Sequence, residues 1–213
     1  AERIERQRAD ENAKIGIESL EKIYLALEKR LPSDPFLTSE DRELLVQLLD
    51  FYERFADKNS FDPAEQKQKA HAFWRVSQIQ DRLGNFTEAK DACDRSIAIL
   101  KEVSPRDIAC LTAMARSFHS LGNMFLTVHR IEEAKEAQRE VTTILDNMEK
   151  ECRDQPDHRQ ARTSNYLNQV RILIIESDIR GIPLDLEQAK TICDLEVKLL
   201  VELVNEYPEQ IKY

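Results

Sequence analysis

Four histidines (His71, His119, His129, His158) and four cysteines (Cys93, Cys110, Cys152, Cys193) are the side chains of this 213-residue chain best suited to proton transfer, nucleophilic attack or metal ligation. No histidine lies three or four positions from another, the spacing by which one helix face presents two ligands. No two cysteines have the short spacing of a zinc or redox site. His-Glu-x-x-His, a phosphate-binding Walker loop and Gly-x-Ser-x-Gly are all missing from the sequence. The inventory implies no catalytic residue, no metal and no cofactor. It leaves the histidines as surface or groove residues and the cysteines as small buried packing residues. Acidic and basic residues interleave at helical spacing, as Lys135, Glu136, Arg139 and Glu140 do, the pattern of a solvated helix face.

With 40 acidic against 31 basic residues the net charge is −9. Such a surface repels a phosphate backbone, which argues against nucleic acid as a partner. The longest aliphatic run, Ile172 to Ile175, is far short of the roughly 20 residues that span a bilayer, and no signal-peptide pattern opens the chain. The expectation is a soluble fragment with no direct membrane insertion. Widely spaced, unpaired cysteines tilt slightly toward a reducing compartment.

The elements that would carry these residues are helices. Only four glycines occur, Ala, Glu, Leu, Lys, Gln and Arg are abundant, and no segment alternates as a strand does. Glu88-Ala89-Lys90 returns as Glu133-Ala134-Lys135, 45 residues on, and as Gln188-Ala189-Lys190 after a further 55. Internal repetition at such periods is the mark of stacked helical hairpins. The breakers divide the chain into helices over about 1–30, 38–58, 63–83, 87–103, 106–128, 131–151, 158–176 and 186–207. Thr38 caps the second, Asp62-Pro63 starts the third, Gly84 closes it in a left-handed conformation, and Pro105 and Pro208 stop others. His129 stands where Gly84 stood. Gly122, inside a helix, implies a neighbour too close for a side chain. Matching Gly122 to Asn168 gives first helices 46 residues apart and places nine extra residues in a long loop, Ser177 to Asp185. In the last helix Ala189, Ile192, Cys193, Val197 and Leu200 are expected to form the buried stripe. The expected division is a two-helix N-terminal cap or linker over 1–62, then three long pairs over 63–213 (about 63–103, 106–151 and 157–207).

Leu121-Gly122-Asn123, then Phe125, Ile131 and Ala134, resembles the tetratricopeptide repeat, in which a Leu-Gly pair, an aromatic and a helix-B alanine lie at these offsets. Gly84, Phe86 and Ala89 fit the same pattern, with Ser77 in place of the helix-A glycine. The resemblance implies antiparallel helix-turn-helix repeats stacked as an α-solenoid in a right-handed superhelix of about eight helices, with helices longer than in the usual 34-residue unit. A narrower resemblance rests on Gln47 to Phe55, Phe73 to Asn85 and Asp157 to Gln160, which look like the C-terminal region of planctomycete-type bacterial serine/threonine protein kinases. It implies an excised non-catalytic region of a larger signalling protein of a group that usually carries a membrane helix, and not kinase activity: a glycine-rich loop, His-Arg-Asp and Asp-Phe-Gly are all missing.

Tetratricopeptide arrays bind extended peptides along their first helices. The lining positions map onto His71, Trp74, Gln78, Asp81 and Arg82, onto Arg116, His119, Asn123 and Thr127, and onto Arg162, Asn165 and Gln169. Amides and arginines can hydrogen-bond a peptide backbone or carboxylate. Trp74 and Gln78 replace the Lys and Asn of the chaperone-binding carboxylate clamp, so a chaperone tail is not implied. Trp74 has two open roles, groove anchor or core. The function expected is a protein- or peptide-binding scaffold or sensing module, with a small-ligand sensor and a structural or dimerisation spacer, a homodimer included, as the alternatives.

Overall fold

The computed structural model describes residues 16, 19–29, 37–57, 62–103, 107–152 and 155–206. The expected start of the first helix near residue 1 and the breaks at 31–35, 104–105 and 208 lie outside them. The described elements are helices: α1 (residues 19–29), α2 (Ser39–Ala56), α3 (Pro63–Leu83), α4 (Phe86–Val103), α5 (Ile108–Thr127), α6 (Ile131–Cys152), α7 (Pro156–Arg180) and α8 (Leu186–Glu206). Among the described residues no strand occurs and no helix is long and apolar enough to cross a membrane.

Local chemistry sets the boundaries. The Thr38 hydroxyl accepts from the Asp41 amide at 3.1 Å, and the Asp107 carboxylate accepts from the Ala109 amide at 2.7 Å, each satisfying a donor that the first turn leaves open. Pro63 and Pro156 sit in first turns, where a missing donor loses nothing. The turns α3–α4, α5–α6 and α7–α8 share one geometry. In each, a residue with positive φ ends the first helix: Gly84 (83°), His129 (58°) and Gly181 (61°). Each donates to the carbonyl three residues back, and the next residue donates five back: Asn85 to Gln80 at 2.9 Å, Arg130 to Phe125 at 2.8 Å, Ile182 to Ser177 at 3.2 Å. The second helix then opens with Ala89, Ala134 or Ala189 donating to the carbonyl four back, at 3.0 Å in all three. The repeat read in the sequence is thus a repeat in hydrogen bonding.

Each helix packs on the next along the chain from α2 to α8, and α3 also touches α5, as α5 touches α7. Among the described residues α4 does not touch α2 or α6, nor α6 α8. First helices therefore form a continuous layer while second helices stand apart. Three apolar clusters fill the layer between: Tyr24, Leu27, Leu45, Tyr52, Val76 and Ile79 join α1, α2 and α3; Cys93, Ile97, Leu121, Phe125, Ala134 and Ile172 join α4 to α7 near the turns; Leu100, Met114, Val141, Leu145 and Cys152 fill the far end. Burial of each large aliphatic side chain among them contributes roughly 1.5 to 3 kcal/mol. Cys93, Cys110 and Cys152 are buried as expected, and Cys193 is half-buried.

Three expectations are corrected. The first four residues of the expected loop over 177–185 are helix: α7 has 25 residues against 20 in α5, so Arg180 is its last residue and the turn shrinks to 181–185. The register-keeping stripe on α8 is only partly buried, because Ala189, Ile192 and Leu203 face α7 while Val197 and Leu200 are 57% and 40% exposed. Gly122 does lie against α6, yet a Cβ there would meet the Ala137 Cβ at 3.7 Å and the Ala134 carbonyl at 3.9 Å, ordinary contact distances. The neighbour is too close for a long side chain and leaves room for a methyl.

Candidate functional site

The mapped groove residues fall into three environments. The first is the junction of α1, α3 and α5. Trp74 is 8% exposed, and its indole Nε1 donates to the Ser120 hydroxyl at 3.1 Å. The Arg75 and Arg116 guanidinium carbons lie 4.4 and 4.9 Å from its ring, and the His71 ring centroid is 5.4 Å away. Arg75 is itself buried, at 4.3 Å from the Tyr24 ring, and its Nε donates to Glu21 at 2.8 Å while a second nitrogen reaches the other Glu21 oxygen. Tyr52 adds a hydrogen bond to the same carboxylate at 3.2 Å. Burial pushes the Glu21 carboxyl up, but the hydrogen bond and charge of Arg75 outweigh it and hold it below the usual range. Burial lifts the Tyr24 phenol to about 12. His71 is pushed down by burial, with Glu21 opposing and Arg75 and Arg116 assisting. Trp74 is therefore a packing residue of the helix layer rather than a groove anchor. An indole flanked by two guanidinium groups and a hydroxyl has every polar edge satisfied inside the fold.

The second environment is an open cleft of about 720 Å³ between the C-terminal ends of α3 and α5. Gln78, Asp81, Arg82, Asn123 and Thr127 line it together, five mapped positions drawn from two successive pairs. Tyr24, Glu28 and Arg42 from α1 and α2 close one side, and Phe86, Met124 and Val128 supply apolar wall. Amides, both signs of charge and apolar surface alternate over a short distance, the chemistry that an extended peptide requires. Asp81 is pushed up by burial and held back by the neighbouring Arg82 charge. A separate, smaller cleft of about 350 Å³ lies between α5 and α7, lined by Thr112, Arg116, His119, Gln160 and Ser164. His119 is pushed down by burial and by the Arg171 charge. Asn168 Nδ2 lies 3.2 Å from its Nδ1, which a neutral ring can accept.

The third environment holds the positions mapped to α7, and here the sequence-based register is wrong. Arg162 turns toward α6, pairing with Asp146 at 2.6 Å and Glu149 at 2.8 Å. Asn165 is fully buried, and its amide nitrogen donates to the Thr142 hydroxyl at 3.1 Å, while Gln138 donates to the Asn165 backbone carbonyl at 2.9 Å. Gln169 is half-buried and lines neither cleft. Asn168 and Arg171 are the residues of α7 that hydrogen-bond α5 side chains, the latter donating to Asn123 at 2.9 Å. α7 begins earlier and ends later than expected, so the 46-residue match of Gly122 to Asn168 misplaced the facing side. The turn residues His129 and Gly181 lie 52 apart rather than 46, and that offset carries Arg116 to Asn168 and His119 to Arg171. Tyr24 and Arg42 were missed for another reason: they come from the segment read as a cap, and nothing local shows that it closes the cleft. No protein-family model, no curated protein and no solved structure matches this chain.

Proposed function

We propose that the chain is a non-catalytic interaction module, built on tetratricopeptide-like hairpins, that holds an extended peptide or protein segment along its layer of first helices. The observation that carries this is the convergence of Gln78, Asp81, Arg82, Asn123 and Thr127, from two successive repeats, on one open cleft. Repetition alone would spread such residues over a surface; their meeting in one concavity supports recognition. The kinase-tail resemblance of Gln47 to Phe55 and Phe73 to Asn85 supports placing the module in a larger signalling protein as its scaffold or sensing part.

The test is selection of peptides on the immobilised protein, followed by calorimetric titration of the best binder. Arg82→Glu combined with Asn123→Ala should weaken binding at least about tenfold. Arg162→Ala, on the far side of α7, should leave it within about twofold. Binding that ignores the cleft substitutions, or no selectable peptide at all, sinks the proposal. Competition of the peptide by a small metabolite would turn the same cleft into a small-ligand sensor, since its volume also suits such a site.

A further inference from the structure

The second helices α4, α6 and α8 begin at Phe86, Ile131 and Leu186, and their first, eighth, twelfth and fifteenth residues lie along one face. In α4 these are Phe86, Cys93, Ile97 and Leu100. Cys93, Ile97 and Leu100 are no more than 6% exposed, and Cys93 donates to the Ser117 carbonyl of α5 at 3.0 Å. In α6 they are Ile131, Gln138, Thr142 and Leu145. Gln138 and Thr142 both bond Asn165 of α7, and the Leu145 carbonyl meets His158 of α7 at 3.0 Å. This face of a second helix is thus the seat for the first helix of the following pair. In α8 the same positions are Leu186, Cys193, Val197 and Leu200; Cys193 is half-buried, while among the described residues the other three stay open, Leu186 71% exposed, Val197 57% and Leu200 40%, with Val201 beside them at 53%. Among the described residues α8 thus presents a seat of the kind that α4 and α6 have filled.

We propose that this α8 face is where a second copy of the chain docks, α8 against α8 and antiparallel, to give a two-fold dimer. Continuity with the internal seats explains why the face is apolar. Its charged flank argues for a second copy rather than a foreign helix. Asp194 and Lys198 are exposed on α8 beside the apolar stripe. Antiparallel pairing about a point near residue 196 sets Asp194 of each copy opposite Lys198 of the other, and a two-fold axis makes that favourable contact twice. Parallel pairing, with its two-fold axis along the helices, would set the two Asp194 side chains on opposite flanks, where neither meets a Lys198. Each Val197 then seats between Cys193 and Val197 of the other copy, and the turn at 181–185 stays outside the contact.

Sedimentation velocity over protein concentrations from about 1 to about 100 µM tests this. A monomer–dimer equilibrium is expected. Val197→Glu and Leu200→Glu should each weaken it at least tenfold while far-ultraviolet dichroism and melting hold, because both side chains already face solvent. Asp194→Lys should weaken it, and Asp194→Lys combined with Lys198→Asp should restore it, a rescue that only the antiparallel register predicts. A monomer throughout, a mass that climbs past the dimer as in head-to-tail stacking, or a dimer indifferent to these four variants each overturns the proposal. The outcome is independent of peptide binding, since the cleft between α3 and α5 is formed by other helices.

Discussion

Trp74 shows how one side chain can be mistaken for a ligand contact. Its position on α3 is that of a groove residue, yet the indole is enclosed by Arg75, Arg116, His71 and Ser120. Trp74→Ala should therefore lower stability by about 3 to 5 kcal/mol, measured by urea denaturation, because the removed volume cannot be refilled by the flanking guanidinium groups. An unchanged midpoint would return Trp74 to the groove. His71 and His119 add a pH dependence. Both are held below the ordinary histidine pKa of 6.5, mainly by burial. The unfolded chain binds their protons first, so stability present above about pH 6.5 is lost as pH falls, by at most about 1.4 kcal/mol per pH unit for each group. Glu21, depressed by Arg75, behaves alike lower down: its contribution is present above the ordinary value of 4.5 and disappears as pH drops through the folded pKa. Melting temperatures between pH 8 and pH 5 should fall, and His71→Gln with His119→Gln should flatten the slope above pH 5.

The hairpin turn is the element on which the array depends, and it is filled by three different residues under one geometry. Gly84 and Gly181 adopt positive φ freely, whereas His129 at 58° has a Cβ crowding its own backbone. His129→Gly should stabilise by about 0.5 to 1 kcal/mol, the relief of crowding less the entropy that glycine adds to the unfolded chain. Gly84→Ala should destabilise by about 1 kcal/mol. For a chain of this length each corresponds to roughly 2 to 4 °C in melting temperature. Calorimetry of the two variants beside the parent reads both signs at once, and equal shifts in one direction would contradict the turn geometry. The α4–α5 seam makes a related point: Cys93, Ser96 and Ser117 are small, and Ser96 and Ser117 Oγ lie 3.3 Å apart. Small residues there let the helix axes approach, so the seam is specified by what is missing from it as much as by what fills it.

At the scale of the molecule, the N-terminal hairpin is part of the stack. Arg75 of α3 is paired with Glu21 of α1 and packed on Tyr24, so α1 lies over α3 as α3 lies over α5. Removing one partner leaves the guanidinium buried and unpaired. Glu21→Ala should cost about 2 to 4 kcal/mol, with part recovered by adding Arg75→Met, in a double-mutant cycle read by denaturant midpoints. Additive effects of the two changes would mean that the pair does not tie α1 to the array. Closing the cleft with Tyr24 and Arg42 from this same hairpin makes binding and the integrity of the first pair interdependent.

Helix content, the first two hairpin turns and the spacing of the second helices were legible in the amino-acid sequence, because each rests on short-range chemistry: proline and capping residues, a left-handed glycine, alanines at the helix starts. Gln78, Asp81, Arg82, Asn123 and Thr127 were legible for the same reason, since α3 and α5 keep one period between them. Arg162 and Asn165 were misassigned because a helix can lengthen by a few residues and rotate its facing side without altering its composition. Only the tertiary structure decided which side of α7 meets α5, that Trp74 lies inside the layer, that α1 and α2 help to wall the cleft, and that the apolar stripe of α8 is left bare. A residue's face is set by the helix it packs against, and that helix lies dozens of residues away in the chain.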